Sequence, residues 1–528
     1  LLCAPPPPPG AAPLLLSRVD HRVDHRVDHR VDLSLKSVFP PSDDIGMNDA
    51  VILPGSAPAP TSGGAPDHPI GCAVRRPTPG VAEAFRRRAV PLASAAVVVV
   101  LGVLFAFFWD PVVRHSQSWT DPSDLWGIFR GAQYVSWGFL GGIYNQDTGM
   151  VTFPGIALLL APVALVSDAL HLSSSIGSFR LAYPTAELLL FPVEMVLAST
   201  VLFGADALAE ELAVPRLRRG ALCVVVAVLA WPTGAIWGHA EDALVMTFAL
   251  YAMVAVLRGN WHRAGWLLGV GILLQPLIAL TIPLFLAASP PGQRMLFALR
   301  CSVLSVFLVG VAFLGNPSGA YRALVEQPTP PLLNHATPWV ALAPHVLLPG
   351  ASSADGALLM HPHGSRSFSE VTAAGHPLLQ VAGGPGRTLY VVLALLVGVF
   401  VWRRPQAPIQ LLWLAGAVLA GRCFFEAVMT PYYLAPPLFL LLVLAARKGA
   451  VRWWASSAVA LGISWFAYWH FGPWVWWLPI VACLVLLLAL TCPEASGPPL
   501  VERPDVVGTP SAAFRDDVVA AGVSATYD

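Results

Sequence analysis

The sequence predicts an all-α polytopic membrane protein, and three observations carry that expectation. Of 528 residues, 56% are hydrophobic and 12% charged, far from the balance of a soluble domain. From Arg86 to Cys492, apolar runs long enough for membrane helices alternate with short polar breaks. Arginine is concentrated in a subset of those breaks, which sets an orientation. The formal net charge is zero, so nothing points to a nucleic-acid partner, and charge matters through its distribution along the chain. The seven cysteines are scattered without ligand spacing. Cys223, Cys301, Cys423 and Cys483 fall in or beside apolar runs and read as small core residues, so neither a disulfide framework nor a zinc site is expected.

Residues 1–85 are expected to form a disordered tail. They begin at Leu1, pass through a proline tract at Pro5 to Pro9, and repeat Arg-Val-Asp-His three times from Arg18 to His29, a pattern with no apolar periodicity. Residues 1–46 read as translated upstream DNA, with Met47 nearer the start, and no signal-peptide pattern is present. The membrane domain then occupies 86–492. Arg86, Arg87 and Arg88 precede the first run, Val90 to Trp109, which puts the N-terminus in the cytoplasm. The first external loop, Asp110 to Thr152, contains a helical pattern at Asp124 to Tyr134. Its apolar residues Leu125, Ile128, Phe129 and Ala132 suit a helix lying in the membrane surface.

Next come Phe153 to His171 and Leu181 to Ala205. One helix in each would leave Arg216, Arg218 and Arg219 outside, against the orientation rule. The second run is broken at Pro192, or one segment only dips into the membrane, or the rule fails here. Gly220 to Leu257 accommodates two short helices with an outer tip at Trp231 to Asp242. Ala264 to Ala288 must go out and return within 25 residues, and bends at Gln275-Pro276, where proline removes a helical hydrogen bond. Cys301 to Leu314 leads out to the segment Asn316 to Arg387, which includes Asn334 to Trp339. Arg404 to Arg447 goes out and back with a tip at Arg422 to Tyr433, and a last pair, Trp453 to His470 and Val475 to Cys492, returns the C-terminus to the cytoplasm. Twelve to fourteen crossings are expected, followed by a disordered cytoplasmic tail at 493–528. Four polar breaks thus share the outer face with the first loop.

The first loop also carries a resemblance. "DLWGIFRGAQYVSWGFLGGIYN" followed by "TFPGIALLLAPVAL" resembles the opening of bacterial GT-C glycosyltransferases of the polyprenol-phosphate-mannose-dependent type, similar to glycosyltransferase family 87. Asp124 takes the family's Asp position, Phe129 and Ala132 its helix, Gly142 and Tyr144 its turn, and Phe153-Pro154 the start of its next helix. "WGHAEDAL" is similar to its later external tip and "LLGVGILLQPLIAL" to its short helix pair, with Gln275-Pro276 in place of the usual Lys-Pro. The resemblance implies inverting transfer of a sugar, mannose first among the candidates, from a polyprenyl-phosphate donor to a cell-envelope lipid or glycan acceptor at the plasma membrane's outer face.

Such a reaction needs a carboxylate base at the acceptor hydroxyl and cationic or hydrogen-bonding groups on the departing phosphate. Asp124, with Asp121 as the substitute, is the expected base; the plainer role for Asp124 is a helix cap. His239, Glu241, Asp242, Arg422, Glu426, Tyr432, His335 and Gln275 are the expected substrate-binding residues. For the first three the plainer fate is a solvated tip, for Arg422 and Glu426 an ion pair, and for Tyr432 an interfacial aromatic belt. No cofactor is specified, although the His239, Glu241 and Asp242 group leaves a divalent cation open. The competing class is a transporter or flippase, for which Glu187 and Glu194 would be membrane-depth groups.

Overall fold

The computed structural model describes residues 81–105, 123–145, 148–173, 185–329, 331, 334–346, 380–469 and 471–494. Most of both expected tails lies outside them. The main helices are α1 (Ala89–Leu104), α2 (Ser123–Ser136), α3 (Pro154–Ala169), α4 (Glu187–Ser199), α5 (Val201–Glu211), α6 (Arg216–Ala235), α7 (Ala240–Leu257), α8 (Trp261–Leu274), α9 (Ile282–Ala288), α10 (Arg294–Gly315), α11 (Gly384–Arg403), α12 (Pro408–Phe425), α13 (Ala435–Ala445), α14 (Ala450–Phe466) and α15 (Pro473–Thr491), with short helical turns at Val81–Arg87 and Pro317–Tyr321. Proline recurs in the first turn of α3, α9, α11, α12, α13 and α15. Its missing N–H costs nothing there and its fixed φ suits entry into a helix. Two small antiparallel pairs complete the described residues. β1 (His335–Ala336) pairs with β4 (Val428–Met429), and β2 (His345–Val346) with β3 (Gln380–Val381).

Among the described residues, seven helices are long and apolar enough to cross a membrane, with the stretch Glu187–Glu211 counted as one. Shorter apolar helices, including α1, α3 and the stretches Pro276–Ala288 and Pro431–Ala445, accompany them. The expected twelve to fourteen crossings counted every apolar run, and several of those runs fold as helices shorter than a full span. Val306, Phe307, Leu395 and Leu396 turn outward as a lipid-facing surface, while α13 is buried along its whole length. This is a membrane-embedded helical bundle, in which helices satisfy their own backbone hydrogen bonds.

One end of the bundle is defined by ion pairs. Arg88 pairs with Asp206 and with Glu210. Arg87 Nε lies 2.7 Å from Glu210, Arg219 Nε 2.8 Å from Asp206 and Arg258 Nη2 2.6 Å from Glu211. The Arg87 and Arg219 clusters therefore share one end of the bundle, so the chain between them leaves that end and returns to it. α4 and α5 run antiparallel to α1: Gly102 packs against Met195 at one level and Arg88 meets Asp206 at the other. The helix passes through Pro192 and is jointed instead at Thr200, whose hydroxyl donates to Leu197 O at 2.6 Å and lies 2.8 Å from Thr247 Oγ1.

The segment that does not return to the arginine end is α3. A Cβ at Gly155 would stand 2.4 Å from Leu273 O, so the start of α3 rests on the end of α8. At its other end Asp168 accepts from Gln133 Nε2 at 3.2 Å and Trp137 Nε1 at 3.0 Å. Trp137 leads into Gly141, which abuts Gly315 at the end of α10 remote from the arginines. Both ends of α3 are thus held away from the arginine end.

α8 and α9 form the expected bent pair. α8 leaves the arginine end beside Arg258, Gln275 turns extended (φ −150°, ψ 121°), and Pro276–Thr281 forms a tight helical turn into α9. Gly265 and Gly269 let α8 approach the backbone of α10 at Arg300 and Cys301, the close contact that small residues permit between membrane helices. α2 behaves differently from its expected role. Leu125, Ile128, Phe129 and Ala132 are buried against Ile143, Met150, Ile156, Leu160, Leu190 and Phe191. Its apolar face is covered by protein, and the amphipathic pattern reflects core packing.

Candidate functional site

The cluster is assembled around the start of α7. α6 ends just past Pro232, and Gly238 adopts a left-handed φ of +64° that glycine takes without strain. That turn brings His239 to the residue before α7 and puts Glu241 and Asp242 in its first turn. All three are buried, Glu241 and Asp242 to 1% exposure, so a solvated hairpin tip is ruled out. His239 Nδ1 lies 2.5 Å from Glu241 Oε1. From α4, Glu194 Oε1 accepts the Ala240 backbone N–H at 2.5 Å. Carboxylates suit this position because the first turn has unused N–H groups and the positive end of the helix dipole.

Asp242 is different from its neighbours. Neither carboxylate oxygen has a hydrogen-bond partner within 3.5 Å among the described residues, although the Gln275 side chain approaches and the charges of Glu241, His239 and Arg422 act on it. Gln275 is held there by the bend after α8.

A second layer comes from the end of α12. Arg422 Nε lies 3.4 Å from Glu426 Oε2, and Arg387 Nε from the start of α11 lies 3.3 Å from Glu426 Oε1. The Arg422 guanidinium carbon sits 3.5 Å from the Tyr433 ring centroid, a contact that strengthens when desolvated. Tyr433 meets Tyr432 edge-on at 4.9 Å, and Tyr432 stacks on His239 at 3.9 Å. Stacking therefore links the two layers. β1 and β4 bring in the third segment, with His335 opposite Met429, and Thr337 Oγ1 donates to Glu426 O at 2.6 Å. His335 itself stacks on Trp476 of α15 at 4.2 Å. Trp237 and Tyr432 pack around Tyr468, which follows α14.

Of the residues singled out from sequence, His239, Glu241, Asp242, Gln275, Arg422, Glu426 and Tyr432 meet in one cluster, with His335 at its edge on the Trp476 ring. Asp124 opens α2, but its side chain, like all of Asp121, lies outside the described residues. Three participants have roles that the sequence does not reveal: Glu194 reads there only as a transporter-like group, Arg387 only as the end of a loop, and Tyr433 only as part of a tip and, with Tyr432, of an interfacial aromatic belt. Arg387 had a detectable signal: it is a lone cation at the start of an apolar run on the arginine-poor side. Glu194 was findable only as a carboxylate inside a membrane run, without its partner Ala240.

Among the described residues no group of three or more His, Cys, Asp or Glu side chains is arranged to hold a metal ion. Glu241 Oε1 is turned to His239 and Glu194 Oε1 to a backbone N–H. Searches against family models and curated proteins match nothing for this chain.

Proposed function

We propose that the protein is a GT-C-like membrane glycosyltransferase, moving a sugar from a polyprenyl-phosphate donor to a lipid or glycan acceptor with inversion, and that the cluster faces the extracytoplasmic side while both termini are cytoplasmic. Mannose is the leading candidate sugar. The observation that carries this reading is the buried meeting of an unpartnered carboxylate, Asp242, with a cation layer in which Arg387 and Arg422 share the single carboxylate of Glu426. Two cations over one carboxylate leave a positive charge for a departing phosphate, and strong groups of this kind act with full effect only where water is excluded. Asp242 supplies an acceptor for a sugar or acceptor hydroxyl, and Asp124 or Asp242 takes the proton as base. The arginines gathered at the opposite end support this orientation.

The test is direct. Purified full-length protein is incubated with a panel of polyprenyl-phosphate sugars and cell-envelope lipid acceptors, and glycosylated lipid is sought by mass spectrometry. One observation favours the competing class: Glu194 is buried within a spanning helix and bound to the backbone of another, as in transporters. Labelled lipid-linked sugar crossing a proteoliposome chemically unchanged, with no product, would favour that class.

A further inference from the structure

At the arginine end, remote from the candidate site, a cavity of about 590 Å³ opens between the turn that joins α13 to α14 and the end of α15. This volume is within the usual range of roughly 300–1,000 Å³ for small-ligand sites. It is lined by Arg447, Lys448 and Arg452, the one carboxylate Glu494, and apolar Ile409 and Leu444. The turn is fixed from outside, since Arg218 Nη1 donates to Ala446 O at 3.1 Å and to Lys448 O at 2.5 Å. Arg218 thus holds two carbonyls just past α13, and neither bond uses Arg447.

The charges do not balance. Lys448 Nζ donates to Cys492 O at 2.7 Å and lies 3.9 Å from Glu494, and Arg452 Nη1 lies 3.3 Å from the same carboxylate. Glu494 is thus shared between two cations, and among the described residues Arg447 has no acidic partner. Three cations around one carboxylate, in a cavity also lined by Ile409 and Leu444, complement a ligand that is anionic at its head and hydrocarbon at its tail. The arginine end is also where the orientation rule puts the leaflet rich in anionic lipid.

We propose that this cavity is a binding site for the phosphate headgroup of an anionic glycerophospholipid of the inner leaflet, with Arg447 as its uncommitted cation and Arg452 as its second contact. The site is independent of the candidate glycosyltransferase chemistry, so either can fail alone.

The experiment uses delipidated full-length protein in detergent, titrated with phosphatidylglycerol, phosphatidylcholine or inorganic phosphate, with bound lipid counted by native mass spectrometry. Phosphatidylglycerol should bind at least tenfold more tightly than phosphatidylcholine. Each Arg→Gln change at 447 or 452 should weaken phosphatidylglycerol by about fivefold, the factor for one basic residue near an anionic surface. Arg447→Lys should retain the preference. Arg404→Gln, at the same end but outside the cavity, should also retain it. Equal binding of the two lipids, an unchanged Arg447→Gln and Arg452→Gln double variant, or an equal loss in Arg404→Gln would overturn the site. Inorganic phosphate binding as tightly as phosphatidylglycerol would overturn the lipid as its occupant. A melting temperature measured without lipid identifies a misfolded variant, and Arg447→Lys then decides in its place.

Discussion

Asp242→Asn separates a functional carboxylate from a structural one, because the two roles change stability in opposite directions. Asp242 is 1% exposed, and neither of its oxygens is hydrogen-bonded among the described residues. A buried polar group left unsatisfied costs about 1–3 kcal/mol, and a charged one more. Arg422 acts on Asp242 but is itself engaged by Glu426 at 3.4 Å, so removing the Asp242 charge does not strand it. The near-isosteric amide relieves burial of the charge and has Gln275 as a nearby partner. The folded protein should therefore be unchanged or stabilised by about 1–2 kcal/mol in a thermal melt. Turnover should nonetheless fall, by roughly 10²- to 10⁴-fold if Asp242 is the base, and less if it only orients a hydroxyl. The assay is single-turnover sugar transfer and melting on one preparation. Near-normal turnover combined with a loss of more than about 2 kcal/mol in stability would refute the reasoning, since it would mean that Asp242 holds the fold together.

Four other outcomes are expected. Arg422→Gln should weaken donor binding together with rate, because a phosphate contact acts in the ground and transition states alike, and lipid-donor affinity measured beside turnover checks this. Tyr432→Ala removes the ring between His239 and Tyr433 and should cost about 0.5–1.5 kcal/mol beyond lost area, read from the melting curve. Gly155→Val puts a branched side chain where a Cβ alone would meet Leu273 O at 2.4 Å, and should destabilise by about 1–3 kcal/mol as overpacking does, detectable as a lower melting temperature. Ser318→Cys, exposed just past α10, should label with an impermeant thiol reagent in intact cells in a cysteine-free background, whereas Gly449→Cys, exposed in the turn at the other end, should label only after permeabilisation.

Arginine placement made much of the bundle legible, because the orientation rule acts on short loops one at a time. It grouped the polar breaks at Trp231 to Asp242, Gln275-Pro276, Asn334 to Trp339 and Arg422 to Tyr433 on one side, and the structure joins them through the β1–β4 pair, the Tyr432 stack and the Asp242 surroundings. The bend at Gln275 was equally visible, since proline leaves few alternatives inside an apolar run. Contacts between distant segments were not legible. The length of Phe153 to His171 permits a crossing, and only Gly155 against Leu273 and Asp168 against Gln133 and Trp137 show that α3 stays at one end. The period of α2 told that one face is covered without telling whether protein or lipid covers it. In the same way, Glu194 accepts from a backbone N–H 46 residues away, a partner that no local pattern encodes.

The most direct measurement of the central claim is single-turnover reaction of the purified full chain with an isotopically labelled mannosyl polyprenyl phosphate and an envelope lipid extract, followed by determination of the anomeric configuration of any glycosylated lipid. Glycosyl transfer at the buried cluster predicts labelled product of inverted configuration, lost in Asp242→Asn and Arg422→Gln. Absence of product across the sugar panel, or product formed undiminished by both variants, would contradict it.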